Sequence, residues 1–589
     1  MNGRIFLAAL LSAFAGIAWA GETVLNEKSS RLLNTDGETY VVRGSLTFKG
    51  DDGTGQSGLS VAEGVHVKIR IEKDATLTCI GGSGANALAG GDGQTPRFDN
   101  KTSQNNGYGI SYEVMTFKAA SSGAGASQGG GGGAGILVPA SSSLTVFGEG
   151  ELVTKGGAGG VGGKGGASAT GAFHVISWAG LAGSAINANW DYLVWSNRFH
   201  SADGLTTIIS GTASADHYNW WYNAQPASGG GGGGGAGGGG AGIGLPGGAG
   251  GAGGDGGVVQ SVWGGEDTKV LATVSGSPGK AAEGPAAGCG TVRLALSSAT
   301  VTGGEGGGKG ESATDGGAKD EQLVWCYDAA GQRTTKVDLY MYNGRAGGGG
   351  GGGGAGADFG TGGSGGAGGG GGYSGGIAFN PTNAPSWESG VGAAGQTGAN
   401  GVTNAVVRLP VILTPQDGLP FPCETLAQAV GDIVTNEANY GATLTVVGDV
   451  TKENAKVPSG TAVVAHEGLF RVPEKKDLRH DYYRYPVPCE TNGTTRTYHF
   501  SFDENRVVPG VSAFGVANGK ASITVTNVCE EMCYRVLSRT NLTEGVSCAG
   551  DKVRAKNGDP LVLTGQATEK MRFYRVGVTD DPRPEEGSE

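Results

Sequence analysis

Past its first twenty residues the chain lacks any apolar run of the ~18 residues that a membrane-crossing helix needs. Basic residues are in deficit, 42 Lys and Arg against 54 Asp and Glu. The net charge of -12 leaves no basic footprint for nucleic acid. The 7 histidines stand apart from one another. No C-x2-C pair occurs, and Cys529 and Cys533 have no histidine near them in sequence, so no zinc or other metal site is expected. No cofactor motif appears, so no cofactor is expected.

Catalytic constellations are equally scarce. Glycoside hydrolysis needs two carboxylates at a fixed separation, and the acidic residues are too scattered in sequence to nominate a pair. Gly362, Ser364 and Gly366 match a nucleophile elbow in form, but they sit inside a glycine tract without the strand-to-helix turn that exposes such a serine. Residues 303–309 imitate a phosphate loop, yet the next residue is Gly310 and not the Ser or Thr that binds magnesium. Residues 250–255 resemble part of a calcium-binding nonapeptide, which does not recur. Asn100, Asn492 and Asn541 begin glycan-acceptor triplets, which matter only in a eukaryotic secretory route. No catalytic residue is nominated, and the chain reads as a non-enzyme.

What is present begins with a leader. Arg4, an apolar stretch from Ile5 to Ile17, and Ala18-Trp19-Ala20 form a secretory signal peptide, 1–20. An exported chain, secreted or at the cell surface, follows, with no integral membrane segment expected in it. Export permits disulfides. Of the 8 cysteines, Cys423, Cys489, Cys529, Cys533 and Cys548 crowd into the last third, and one or two bridges are expected there. Cys79 reads instead as a small buried apolar residue.

Glycine, 121 residues, is concentrated before residue 402. Between the tracts runs an imperfect repeat of alternating strands. Val67, Ile69 and Ile71 precede Leu77 to Ile80. Ile136 to Val138 precede Leu144 to Phe147. Val292, Leu294 and Leu296 precede Ala299 to Val301, and Val406 to Leu413 close the series. This alignment puts Cys79 in the place of Val146 and Val301.

The tracts keep a phase. In 155–167 the residues Lys155, Ala158, Val161, Lys164 and Ala167 stand three apart, with glycine between them. Tract 243–258 does the same, and tracts near 346–373 and 80–92 do so less strictly. A flexible linker has no reason to hold a phase. Collagen holds one, but with a single glycine per triplet and abundant proline. Two glycines per triplet in an extended three-fold helix leave two bare backbone edges, which suits polyglycine rods packed side by side. Ordering glycine costs about 1–2 kcal/mol per residue, so the tracts fold together or not at all.

Residues 347–354 with Ala355, and 368–376 with Tyr373 and Ser374, resemble the glycine-rich extracellular region of the anaplastic lymphoma kinase receptor family and related exported bacterial proteins. The resemblance implies packed polyglycine rods alternating with β segments over about 60–405. No kinase or membrane span accompanies it, so receptor signalling does not carry over, and no ligand-contact residue transfers.

An aromatic insertion, 172–227, contains Trp190, Trp195, Tyr218, Trp220, Trp221 and Tyr222. Rigid aromatic faces with a polar handle suit a protein or glycan partner, or a local core among glycines. After residue 414 the composition becomes ordinary. Leu426, Val430, Ile433 and Val434 define one helix face, and a strand over 444–450 follows. This pair is similar to a unit of exported bacterial β-solenoid proteins. Short strands at 523–526, 534–536, 561–563 and 573–578 form a small β domain.

The expected fold is mostly β. Strand repeats interleave with polyglycine II-type rods, followed by a β-rich C-terminal region with one short helix. The expected boundaries are a glycine-rich domain at 21–413, a linker at 414–422, a helix with a β-solenoid-like unit at 423–495, a small β domain at 496–579, and a disordered acidic tail at 580–589. Two functions fit: a structural or adhesive scaffold presenting loops, or a carbohydrate-binding or carbohydrate-active β-solenoid whose aromatics stack on sugars.

Overall fold

The computed structural model describes residues 22–583, apart from 95–96, 106–110, 119–120, 170–171, 181–193, 201–205, 213–217, 227, 258–261, 265–274, 283, 285–287, 314–319, 328–332, 343, 375, 380–390, 540–546, 557–559 and 568–572. For the strands within 97–118, 172–226, 262–264, 320–342, 376–379 and 547–548 only the backbone is described. The fold is mostly β, and Leu426–Thr435 is the one α-helix among the described residues.

The repeat of the first region winds into three parallel ladders. One joins Glu22–Leu25, Thr39–Val42, His66–Ile71, the first half of Ser143–Lys155, the first half of Thr291–Thr302, and Val407–Arg408. A second joins Ser45–Lys49 and Thr76–Ile80 to the second halves of the same two long strands. The third stacks the very short strands Leu32–Leu33, Leu59–Val61, Ile136–Leu137, Ile243–Gly244 and Phe359–Gly360.

In-register stacking puts like on like. Leu59, Ile136, Ile243 and Phe359 form one column, and Ile69, Val146 and Leu294 another. These residues belong to one hydrophobic cluster, the apolar burial that drives the region to fold. The register corrects the sequence alignment. Cys79 aligns with Thr154 and Val301, while Val146 aligns with Ile69 and Leu294. Ser143–Lys155 is one strand spanning two ladders, with an irregularity between Gly148 and Glu151, so its second half is the true counterpart of Thr76–Ile80. Cys79 is fully buried and unbonded.

The glycine tracts leave the ladders and return to them. Their amides bond neighbouring tracts at every third residue. Gly81, Gly84, Ala87, Gly90 and Gly93 donate in turn to Lys155, Ala158, Val161, Lys164 and Ala167. Gly230, Gly233, Ala236, Gly239 and Gly242 donate to Arg345, Gly348, Gly351, Gly354 and Ala357. Within such layers the tracts run parallel. Between layers they run antiparallel, as Gly232, Gly235 and Gly238 donate to Gly254, Gly251 and Gly248. Segment 229–242 is buried throughout. It bonds to tracts at 123–135, 157–166, 245–257, 304–307, 345–357 and 363–372, and so is enclosed on every side.

The second region has one continuous hydrophobic cluster, running from Val411 to Leu563. Its sheet runs in the order Phe421–Cys423, Val411–Thr414, Thr443–Val446, Ala462–His466, Thr495–His499, Cys489–Asn492. Only the Thr443–Val446 and Ala462–His466 pair is parallel, so this is a mixed sheet and not a solenoid coil. The helix buries Leu426, Ala429, Val430 and Ile433 against it, and Thr425 caps its N-terminus by accepting from the Gln428 amide at 3.0 Å. The expected linker 414–422 is largely the turn of a hairpin, since Val411 pairs with Cys423 and Leu413 with Phe421. The expected break at 495–496 falls inside a strand, because Thr495–His499 pairs on both sides.

Beyond it, Lys520–Thr526, Cys533–Arg539, Leu561–Gln566 and Phe573–Thr579 are strands, close to expectation. The tripeptide Tyr-Arg-Val occurs at 534–536 and again at 574–576, and its two copies lie on strands that pair with each other antiparallel.

Candidate functional site

The hydrogen bonds bring the outward ends of the tracts to one place. Gly93 donates to Ala167, Gln94 to Ser121, Ser228 to Gln94, Gly229 to Gly257, Gly257 to Gly372 and Arg345 to Tyr373. The opposite ends run into the short strands at Ile136, Ile243 and Phe359. Three sets of antiparallel strands therefore leave the tracts at one end, away from the ladders. They are the hairpin of Arg97–Asn105 and Ser111–Lys118, a five-stranded sheet within 172–264, and a three-stranded sheet of Asp320–Tyr327, Arg333–Tyr342 and Gly376–Phe379.

Among the described residues, Trp178, Trp195, Trp220, Trp221, Trp263 and Trp325 all fall in segments that begin or end at this place. Trp195 lies on Val194–His200. Tyr218, Trp220, Trp221 and Tyr222 lie on Tyr218–Pro226. In register, Trp220 faces Trp178, Trp221 faces Ser177, Tyr222 faces Ile176 and Tyr218 faces Gly180. Trp263 joins the same sheet opposite Asn223. The side chains of these strands, and Trp190 as a whole, lie outside the described residues. The arrival of Trp263 and Trp325 at the same end was not legible from their sequence positions, because they are separated from the insertion by glycine tracts.

A second polar cluster lies at the seam between the mixed sheet and the terminal strands. Arg479 Nε donates to Glu531 Oε2 at 2.7 Å, and a second guanidinium nitrogen bonds Glu531 Oε1. His480 Nε2 lies 3.3 Å from Glu531 Oε2 and stacks on Tyr482 at 4.8 Å between centroids. The hydrogen bond from His480, then those from Arg479, hold the Glu531 carboxyl down at about 2 against the opposing effect of burial. Asp580 accepts from Tyr440 Oη and from Ser459 Oγ, each at 2.5 Å. Burial pushes the phenols of Tyr440, Tyr482 and Tyr483 up.

The cavity these groups line measures about 40 Å³, room for a few waters only. Its polar groups are already paired with one another across the seam, so the cluster is suited to clasping two elements. It also overturns the expected disorder at the start of the tail. Residues 580–583 are tied down, with Lys552 donating to the Asp581 and Arg583 carbonyls and Arg583 paired with Asp581. The stretch 479–483, Arg-His-Asp-Tyr-Tyr, carries this density of ionisable groups in its sequence, whereas Glu531 is some fifty residues away.

The expected bridges are not found among the described cysteines. Cys423, Cys489, Cys529 and Cys533 are unbonded. Cys423 and Cys489 stand on opposite edge strands of the six-stranded sheet, roughly 24 Å apart at about 4.8 Å per strand. Cys548 pairs in register with Leu537, four residues along its strand from Cys533. That is about 13 Å at 3.3 Å per residue, beyond the ~7 Å limit for bridged Cα atoms.

Among the described residues no helix is long and apolar enough to cross a membrane, and no group of His, Cys, Asp and Glu is arranged to hold a metal ion. Comparison with protein-family models, with curated proteins and with solved structures finds no match to this chain.

Proposed function

We propose that this is an exported, non-enzymatic scaffold, structural or adhesive, whose glycine tracts form a polyglycine II-type bundle carrying a recognition head. One observation carries the reading: among the described residues, the tryptophan-bearing segments issue from one end of the tracts. At about 3.1 Å per residue, a tract such as 229–242 would hold that head roughly 40 Å from the ladders. The spacing of the hydrogen bonds supports the bundle, since donors recur at every third residue. Glycine is required for it, because a Cβ on Gly238 would lie 1.9 Å from the Gly363 carbonyl oxygen. The head is suited to a protein or glycan partner, its strands being rich in Trp, Tyr and Asn. The leader-like pattern of residues 1–20 supports a scaffold outside the cytoplasm, secreted or surface-held.

Two measurements on the purified mature chain test this. Amide exchange should be slow across 229–257 and 346–374, and fast exchange throughout both would end the bundle reading. Binding to a glycan array or to candidate surface proteins should fall at least about ten-fold in Trp220→Ala and Trp221→Ala, with tract exchange unchanged. Unchanged binding in both variants would remove this part of the head from the recognition role.

A further inference from the structure

The 7 histidines stand apart in sequence, but the fold brings two of them to one register position. His174, on Ala172–Gly180, stands directly opposite His200, on Val194–His200, in the five-stranded sheet of the head. Residues opposite one another on an antiparallel pair share a face of the sheet, with Cβ atoms about 4.5–5.5 Å apart. Metal–imidazole bonds are about 2.0–2.1 Å long, so two histidines in that relation are within reach of one cation.

Their row across the sheet reads Thr206, His200, His174, Ala224, Val262, so a threonine and an alanine flank the pair in register. The five strands carry no Asp, Glu or Lys, and Arg198 is their one charged residue besides the histidines. Arg198 stands opposite Ile176, one same-face step along the strand, about 6.6 Å away at 3.3 Å per residue. With no carboxylate on these strands to pair with, a shared cation is the ligand that suits two adjacent imidazole nitrogens. The ladder joining the two strands is also short. Val194–His200 meets Ala172–Gly180 in three pairs, whereas Tyr218–Pro226 meets the same strand in nine. The hairpin of Val194–His200 and Thr206–Thr212 joins the head sheet through that short ladder, and His174 with His200 is its terminal pair.

We propose that His174 and His200 form a binding site for a divalent transition metal, Zn2+ or Cu2+, which staples the outer hairpin to the head. Imidazole suits these ions, whereas Ca2+ and Mg2+ take oxygen ligands. No group of three or more His, Cys, Asp and Glu is found among the described residues. Two protein donors leave the remaining coordination positions to water, so the site is open. The row lies two residues beyond the Ala172–Pro226 pair, where the strands leave the tracts, and the Trp178–Trp220 pair stands four residues farther out. The metal thus fixes the base of the sheet that carries the tryptophans. The site needs only this register and stands or falls apart from the recognition role.

Calorimetric titration of the full mature chain with ZnCl2, after treatment with a chelator, tests the proposal. One Zn2+ should bind per chain, and Mg2+ should not. The affinity should fall at least about ten-fold in His174→Gln and in His200→Gln. It should also fall at least about ten-fold in the wild type between about pH 7.5 and about pH 5.5, because imidazoles, with an ordinary pKa of about 6.5, must be deprotonated to bind. His466→Gln, on Ala462–His466 of the second region, should bind as wild type. Amide exchange across 194–212 should slow when Zn2+ is added, a readout that needs no variant. Cu2+ in its place should show couplings to two imidazole nitrogens by electron paramagnetic resonance. A wild type that binds no Zn2+ overturns the proposal. So does wild-type affinity in both His174→Gln and His200→Gln, or binding that leaves exchange across 194–212 unchanged.

Discussion

Thr154 is almost wholly buried, and its hydroxyl has no hydrogen-bond partner. It stands in register between Cys79 and Val301, so two of the three residues in this column are apolar. An unpaired buried hydroxyl forfeits its water without compensation, at about 1–3 kcal/mol. Thr154→Val keeps the shape and removes the polar group, so it should raise stability by about 1 kcal/mol, read as a higher denaturant midpoint at unchanged slope. Nothing in the sequence marks Thr154, since alternating Thr and Val is ordinary in a strand. Its isolation is a product of the ladder that closes over it. Cys79 is different, because strand alternation alone places it on the inner face.

At the scale of the element, the tracts obey a triplet rule. The enclosed segment 229–242 is glycine at nearly every place, with Ala236 and Ala241 among the exceptions before Ile243. Tract 155–167 has two glycines per triplet, and its Lys155, Ala158, Val161 and Lys164 are exposed. Tract 391–403 has one, at Gly392, Gly395, Gly398 and Gly401, and among the described residues it bonds to two tracts, 346–355 and 360–370. The number of glycines per triplet reports how many sides of a tract meet another backbone.

Two substitutions separate this rule from a general dislike of replacing glycine. In Gly238→Ala the new Cβ meets immovable backbone, and a loss of about 3 kcal/mol is expected, with faster exchange across 229–257. In Gly308→Ala the nearest atom is Val161 Cγ1 at 4.0 Å. The gain should be about 0.4–1 kcal/mol, because only the unfolded chain loses freedom.

At the scale of the molecule, the seam around Glu531 joins the loop 479–483 to the terminal strands. Glu531 adopts a left-handed backbone, φ 69°, an unfavourable state for a side chain other than glycine, and its ion pairs hold it there. Its folded pKa, about 2, lies below the ordinary value of 4.5. A depressed carboxyl stabilises the fold above the unfolded value, and that contribution fades as pH falls from about 4.5 towards 2. After solvent screening the contribution is about 1–2 kcal/mol. Glu531→Gln should cost about that much at pH 7 and flatten the stability profile in the acid window, as chemical denaturation across pH would measure.

By itself the sequence determined the strand alternation, the single helix, and the phase of the tracts. Each of these is local: a period of two or of three and six-tenths is written in neighbouring residues, and so is a recurrence at every third place. Only the tertiary structure decided which tract lies beside which, why the unequal repeats stack in register, and that tryptophans far apart in sequence emerge at one end. The reason is that a glycine tract recognises its neighbour through backbone amides and carbonyls, which are the same in every tract. The partner is chosen instead by the ladders, whose apolar columns fix where each tract starts and in which direction it runs.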